Sequence, residues 1–235
     1  MQIKTIKGIY ESNTYVMTSV SEAQRFRQKS VIESNGVKII IEAGAPVDSL
    51  RQALGGTAPA AIFLTHEHFD HVAHIADYAT AFPNCPIYCH PATLQELKTG
   101  EINRILGAFA GVDVEPPDSF KNFHALTDNQ IINIGPLEIK AIFAPGHSDG
   151  SILYSIKNSP LERRGGTEGD GVVLFTSDVL FNNTIGRTDL IPNGQTQMQK
   201  TLRTLQTLKF ETAYHGHGNP SSYEEQQQNI ANHIN

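Results

Sequence analysis

His66, His68, Asp70 and His71 crowd into one short run, Ile62-Phe63-Leu64-Thr65-His66-Glu67-His68-Phe69-Asp70-His71. Neutral imidazoles and carboxylates are the usual nitrogen and oxygen ligands of zinc and similar divalent ions, so this crowding points to a metal site. In a chain with 10 histidines, chance placement would produce His-x-His-x-Asp-His in about one such sequence in a thousand. In an extended exit from a strand, side chains alternate with period two, so His66 and His68 point the same way and can share an ion. Asp70 and His71 come after the chain has turned toward a helix marked by Val72, Ile75, Ala76 and Ala79. They face a neighbouring position, and two adjacent ions are expected.

This motif resembles the signature of the metallo-β-lactamase superfamily, and the resemblance runs through most of the chain. Ala144-Pro145-Gly146-His147-Ser148-Asp149-Gly150-Ser151 resembles the family's Pro-Gly-His-Thr/Ser stretch. Phe175-Thr176-Ser177-Asp178-Val179-Leu180-Phe181 resembles its Gly-Asp-x-Leu-Phe stretch, and Tyr214-His215-Gly216-His217-Gly218 its Gly-His-Gly stretch. The resemblance implies that His66, His68 and His147 hold a first ion, that Asp70, His71 and His217 hold a second, and that Asp178 bridges them. His217 is preferred to His215 because it sits in the Gly-His-Gly context. Glu42-Ala43-Gly44 stands where the family has Asp-Pro/Ala-Gly, a stretch that supports the metal centre from behind, with Glu in place of Asp.

What the resemblance implies for the fold is an α+β, four-layer αββα metallo-β-lactamase sandwich with the metal cleft along one edge. The implied cofactors are two divalent metal ions, zinc first, with iron or manganese also suited to His and carboxylate ligands. Two ions about 3.5–4 Å apart lower the pKa of a bridging water, so the expected nucleophile is a metal-bridging hydroxide. Asp70 would be catalytic as well as a ligand, orienting that hydroxide while the ions stabilise the developing oxyanion.

For the substrate, Ile185-Gly186-Arg187-Thr188-Asp189-Leu190 resembles the Gly-Arg-Thr-Asp stretch of bacterial glyoxalase II-like (hydroxyacylglutathione hydrolase-like) enzymes. Those enzymes cleave hydroxyacyl thioesters of glutathione, which implies a thioester such as S-lactoylglutathione. Arg187 and Asp189 are then candidates for binding substrate or orienting an imidazole, with a plain surface ion pair as the alternative. The same stretch occurs in persulfide dioxygenases of the superfamily, where one iron would be held by His66, His147 and Asp178. That is the runner-up reading, and Ile185 stands where those enzymes carry Cys. A lactone or other ester is a further alternative. Glyoxalase II grips glutathione with an added carboxy-terminal helical region, whereas 18 residues follow His217 here, so recognition is expected to come from elsewhere.

The remaining sequence must position these groups. The 235 residues suit a single domain over 1–235, and a net charge of -6 with no basic run argues against a nucleic-acid partner. The expected partner is a small molecule. No apolar run reaches the roughly 18 residues of a membrane span, and Met1 to Gly8 alternates like a strand, not a signal peptide, so a cytoplasmic location without a membrane partner is expected. Cys89 closes a short buried strand, Ile87-Tyr88-Cys89, with Cys85 just ahead of it, and both are expected to pack as small hydrophobes, with a redox or metal role beside His90 as the alternative.

Strands are expected over 3–6, 14–17, 37–41, 60–65 and 87–89, and helices over 47–54, 71–81 and 92–97. A further helix over 101–111 is suggested by Ile102, Ile105, Leu106 and Phe109. Strands over 129–134 and 137–143 form a hairpin about Gly135-Pro136, and 151–156 pairs with 171–176. Met198, Leu202, Leu205 and Leu208 mark a helix over 195–208, a strand follows at 211–214, and Ser222 with Glu225 offers a capping box for the last helix. The polar stretches 19–34 and 157–170 are expected to be insertions, the first extending a hairpin and the second flexible.

Overall fold

Alternation decides where each strand of this chain faces, and the facing assembles the layers. The structure, a computed structural model, describes residues 1–19, 36–100, 106–158 and 171–234. Nearly all of both expected insertions and the first half of the helix expected over 101–111 lie outside the described residues.

Six strands form the first sheet in sequence order. β1 (Gln2–Lys7) pairs antiparallel with β2 (Asn13–Thr18), and β2 with β3 (Lys38–Ile41). β4 (Ala61–Phe63), β5 (Ile87–Cys89) and β6 (Phe123–Ala125) continue it in parallel. Parallel neighbours need crossovers, and helices supply them. These are α1 (Val47–Leu54), α2 (Phe69–Val72), α3 (Ile75–Ala81), α4 (Pro91–Thr99) and α5 (Gly107–Ala110). The second sheet runs β12-β11-β10-β9-β8-β7. Its strands are β7 (Ile131–Ile134), β8 (Leu137–Phe143), β9 (Ile152–Asn158), β10 (Val172–Ser177), β11 (Thr212–His215) and β12 (Ser221–Ser222). Only β10 and β11 are parallel there, and α6 (Gly194–Leu205) crosses between them. The last helix is α7 (Tyr223–His233).

Along β3, Ile39 and Ile41 face the second sheet, where they meet Ile139, Ala141, Tyr154 and Phe175 in one buried cluster with Phe63. Ile40, between them, faces the other way with Ile62 and Leu64, against Leu50 and Leu54 of α1 and Ile75 and Tyr78 of α3. On the far side Ile142, Leu153 and Leu174 pack against Met198, Leu202 and Ile230 of α6 and α7. Three apolar seams between four layers give the αββα sandwich. No helix among the described residues is long and apolar enough to cross a membrane.

Two expectations change. The helix expected over 71–81 starts earlier, at Phe69, and is broken into α2 and α3. The His74 amide bonds the Ala43 carbonyl at 2.9 Å and the Ala43 amide bonds the His71 carbonyl at 2.8 Å, so the end of the β3 segment takes the groups a continuous helix would use. β6 was not foreseen, because its three residues bury only Phe123 and show no alternation.

Candidate metal centre

Each candidate ligand follows the carboxyl end of a strand, where side chains leave the sheet at its rim. Beyond β4, Thr65 is tied to the second sheet by the Ile152 amide at 2.8 Å. His68 keeps an extended backbone (φ -63, ψ 144), so His66 and His68 project to one side, ring centroids 4.5 Å apart. Glu67 turns the other way and accepts from the Thr93 hydroxyl at 3.1 Å. The turn into α2 then aims Asp70 and His71 at the adjoining position.

β8 leads to His147 through Gly146, whose φ of 141 and whose closeness to the Met198 backbone (2.7 Å from where a Cβ would stand) admit only glycine. β10 ends at Ser177, next to Asp178, and β11 ends two residues before His217. Between them, a Cβ on Gly216 would lie 1.8 Å from Asp178 Oδ1. The strand ends therefore converge only because glycine stands at these approaches.

The ligand atoms of His66, His68 and His147 all lie within 4.8 Å of one another, and so do those of Asp70, His71 and His217. Asp178 stands between the groups: Oδ1 is 3.3 Å from His71 Nε2, while Oδ2 is 3.7 Å from His147 Nε2 and 3.6 Å from His217 Nε2. Asp70 Oδ2 lies 3.1 Å from His217 Nε2 and 3.4 Å from His71 Nε2. All seven expected ligands are thus brought together. Six of them are buried, and His217, 30% exposed at its side chain, marks the open side.

His66 Nε2 is buried without a hydrogen-bond partner, and His71 Nε2 and Asp178 Oδ1, an ion pair at 3.3 Å, make no hydrogen bond either. Buried polar atoms are nearly always satisfied, and three such atoms converging on one place are what divalent cations would satisfy, so the donor set fits such ions. The electrostatics differ between the two groups. Burial, then the neighbouring imidazoles, lower the pKa of His66 and His68, the latter to about 3, and burial also lowers His147. These rings are therefore in the neutral form a cation needs. Burial opposes charge on His71 too, but Asp178, Asp70 and Glu42 hold it well above the usual histidine value. In return His71 keeps Asp70 and Asp178 below the usual carboxylate range despite their burial.

Behind the ligands, the His147 Nδ1 proton points to the Arg187 carbonyl at 3.1 Å. Asp189 instead forms a 2.8 Å ion pair with the Arg187 guanidinium at the surface, so the imidazole-orienting part sketched for Asp189 falls to a backbone carbonyl. His215 has both ring nitrogens engaged, Nδ1 by Thr176 Oγ1 at 2.7 Å and Nε2 by Ser221 Oγ at 2.9 Å, and joins neither group. Glu42, buried on a backbone with φ of 75, approaches His71 Nδ1 at 3.4 Å. Its carboxylate also accepts from the Thr65 and Ser177 hydroxyls.

Asn13 was not foreseen. Its amide donates to the carbonyls of His215 and Gly218, each at 3.0 Å, and so braces the loop that carries His217. Nothing in its local sequence signals that reach. Cys85 and Cys89 are free and buried in the α-side core, as packing residues.

The family model described as Metallo-beta-lactamase superfamily matches residues 30–161, more than half of the chain. The chain belongs to this superfamily. The "Probable metallo-hydrolase YqgX" of Bacillus subtilis is 34% identical over 167 residues, covering 69% of this chain and 70% of the relative. A protein named "Hydroxyacylglutathione hydrolase" from Xylella fastidiosa is 25% identical over 183 residues, covering 78% of this chain and 55% of that one. Among solved structures, the BLEG-1 B3 metallo-beta-lactamase superposes with a TM-score of 0.72 at 24% identity, covering 97% of each chain. TTHA1623, solved in a di-iron-bound form, gives 0.68 at 22% identity, covering 100% of this chain and 98% of that one. These two share the fold. Membership in the superfamily and the assembled His/Asp clusters mark the chain as a metallo-hydrolase fold with a site for divalent metal.

Proposed function

We propose that this chain is a binuclear metal-dependent hydrolase acting on an acyl thioester, with S-lactoylglutathione as the type substrate and zinc as the metal. The observation that carries the reading is Asp178 set between two complete ligand groups, its two oxygens within 3.3–3.7 Å of His71, His147 and His217. In it, His66, His68 and His147 would hold one ion and Asp70, His71 and His217 the other, with Asp178 shared. Bound there, two ions would supply a nucleophile from water at neutral pH and a positive field for the developing oxyanion.

The chain's own residues do the rest. The Arg187 carbonyl takes the Nδ1 proton of His147 and leaves its Nε2 unprotonated, 3.0 Å from His68 Nδ1, Asn13 holds the His217 loop, and Asp70 offers an ionised oxygen beside His217 at the open side. A thioester suits this arrangement because a thiolate departs without a strong general acid. The likeness to a hydroxyacylglutathione hydrolase and the Gly186-Arg187-Thr188-Asp189 stretch support the same substrate class. A mononuclear iron dioxygenase would leave Asp70, His71 and His217 assembled without use. Ile185 also bridges to Leu180 and packs against the α6 core, where the dioxygenases have a thiol. Free, buried Cys85 and Cys89 suit a reducing, cytoplasmic setting.

Metal content of protein purified without added metal, measured beside thiol release from S-lactoylglutathione, tests the reading. Two ions per chain with thiol release are expected. One iron with oxygen uptake on glutathione persulfide would overturn it, and two ions without thiol release would move the substrate to lactones or oxygen esters.

A further inference from the structure

Two of the non-glycine residues with positive φ, Glu42 at 75 and Ser177 at 45, lie 135 positions apart in sequence and meet inside the sandwich. Strain of this kind persists where the surroundings over-determine it, often at a functional site. Ser177 ends β10 at an irregularity in its pairing with β11, and its buried hydroxyl turns back toward the first sheet. There it lies 3.2 Å from Glu42 Oε1 and 3.2 Å from His66 Nδ1. Thr65 does the same, its hydroxyl bonding Glu42 Oε1, contacting the Ser177 hydroxyl and lying 3.1 Å from His66 Nδ1.

The direction of these bonds follows from what each group can do. A carboxylate only accepts, so one hydroxyl gives its proton to Glu42 and the other gives its own to Glu42 or to the neighbouring hydroxyl. Both hydroxyl oxygens are then left as acceptors toward His66. Nδ1 of His66 must be the protonated nitrogen, and Nε2, buried without a partner, is left with its lone pair toward the first ligand group.

We infer that Ser177 and Thr65 are positioning residues that relay the Glu42 carboxylate to His66 and hold its ring in the Nδ1-protonated tautomer. The inference rests on the metal-centre reading above for its consequence, and on the hydrogen-bond network alone for its chemistry. Because the relay spans both sheets, it also couples the carboxyl end of β4 to that of β10, next to Asp178.

The test uses the full chain stripped of metal, as wild type, Ser177→Gly, Ser177→Ala, and Ser177→Gly combined with Thr65→Val. Two readouts apply: the nitrogen-15 spectrum of the histidine rings, with the His66 signal identified by its loss in His66→Gln, and titration with cobalt(II) followed by its visible spectrum. Outer hydrogen-bond partners of ligating histidines typically contribute about 10–100-fold to metal affinity. We expect roughly tenfold weaker cobalt binding in Ser177→Gly and in Ser177→Ala, a larger loss in the double variant, and a His66 ring there no longer held as Nδ1–H. Glycine relieves the positive φ and alanine does not. Loss in both therefore assigns the effect to the hydroxyl, whereas wild-type affinity in Ser177→Gly, or an unchanged His66 tautomer in the double variant, would overturn the inference. A wild-type chain that takes up no cobalt would instead overturn the metal-centre reading, and the ring spectra would still decide this one.

Discussion

Which nitrogen of each imidazole is left bare decides what the centre can hold, and backbone and hydroxyl groups settle that as much as carboxylates do. The Arg187 carbonyl faces His147, and the Asp189 carboxylate pairs with the Arg187 guanidinium at the surface. Asp189→Ala should therefore leave metal content unchanged, because an exposed pair is screened by water and salt. Asp178→Ala should cut metal content from two ions per chain to one or fewer, since it removes the oxygens between both groups; elemental analysis of the two purified variants compares these outcomes. The cysteines give a second prediction at this scale. Burial pushes the Cys85 and Cys89 thiols up to about 12, so both stay protonated and inert at pH 8. A maleimide should label neither within the time it labels both in denaturant, and fast labelling of the native chain would show that this strand is open.

Elements with one buried face were legible from sequence nearly to the residue. Val47–Leu54 buries Leu50 and Leu54 and ends at Gly55 in the left-handed region, and Ile87–Cys89 was read with both of its ends. The break at His74 was not legible, because its cause is a carbonyl on Ala43, some thirty positions earlier. The seven candidate side chains that converge were legible, four from motif spacing and three from the family resemblance, but the residues behind them were not: Asn13 reaches His215 and Ser177 reaches Glu42 across the fold. Local signals do suffice for α7, where Ser222 Oγ accepts from the Glu225 amide at 3.3 Å and the Glu225 carboxylate accepts from the Ser222 amide at 2.7 Å. Ser222→Ala should cost about 1 kcal/mol, or ~2–4 °C in melting temperature for a chain of this size. Metal content should not change, because α7 touches the loop after Asp178 through Gln226 and Asn229 instead.

At the scale of the molecule, the family model ends at residue 161, before Asp178 and His217, so the first-ion group falls inside the match and the second-ion group is completed only by later strands. The central core is likewise made by both halves, Ile39, Ile41 and Phe63 from one sheet and Ile139, Tyr154 and Phe175 from the other. Neither half can bury those residues alone, so the chain should unfold in a single transition, as one domain. Metal should move that transition as a unit. Ions that bind the folded state alone stabilise it by about 2.7 kcal/mol for each site held at a hundred times its dissociation constant. At roughly 2–4 °C per kcal/mol this amounts to at least ~5 °C. Without ions, His66 Nε2 is left buried without a hydrogen-bond partner beside the His71–Asp178 pair, so the loss falls on the rim where the sheets meet, not on one layer. A calorimetric scan with excess chelator should show the one transition at least about 5 °C lower, restored once the chelator is removed and zinc is supplied in excess. Two separated transitions would refute the shared core as the unit of folding, and an unmoved midpoint would mean that the seven side chains hold no ion.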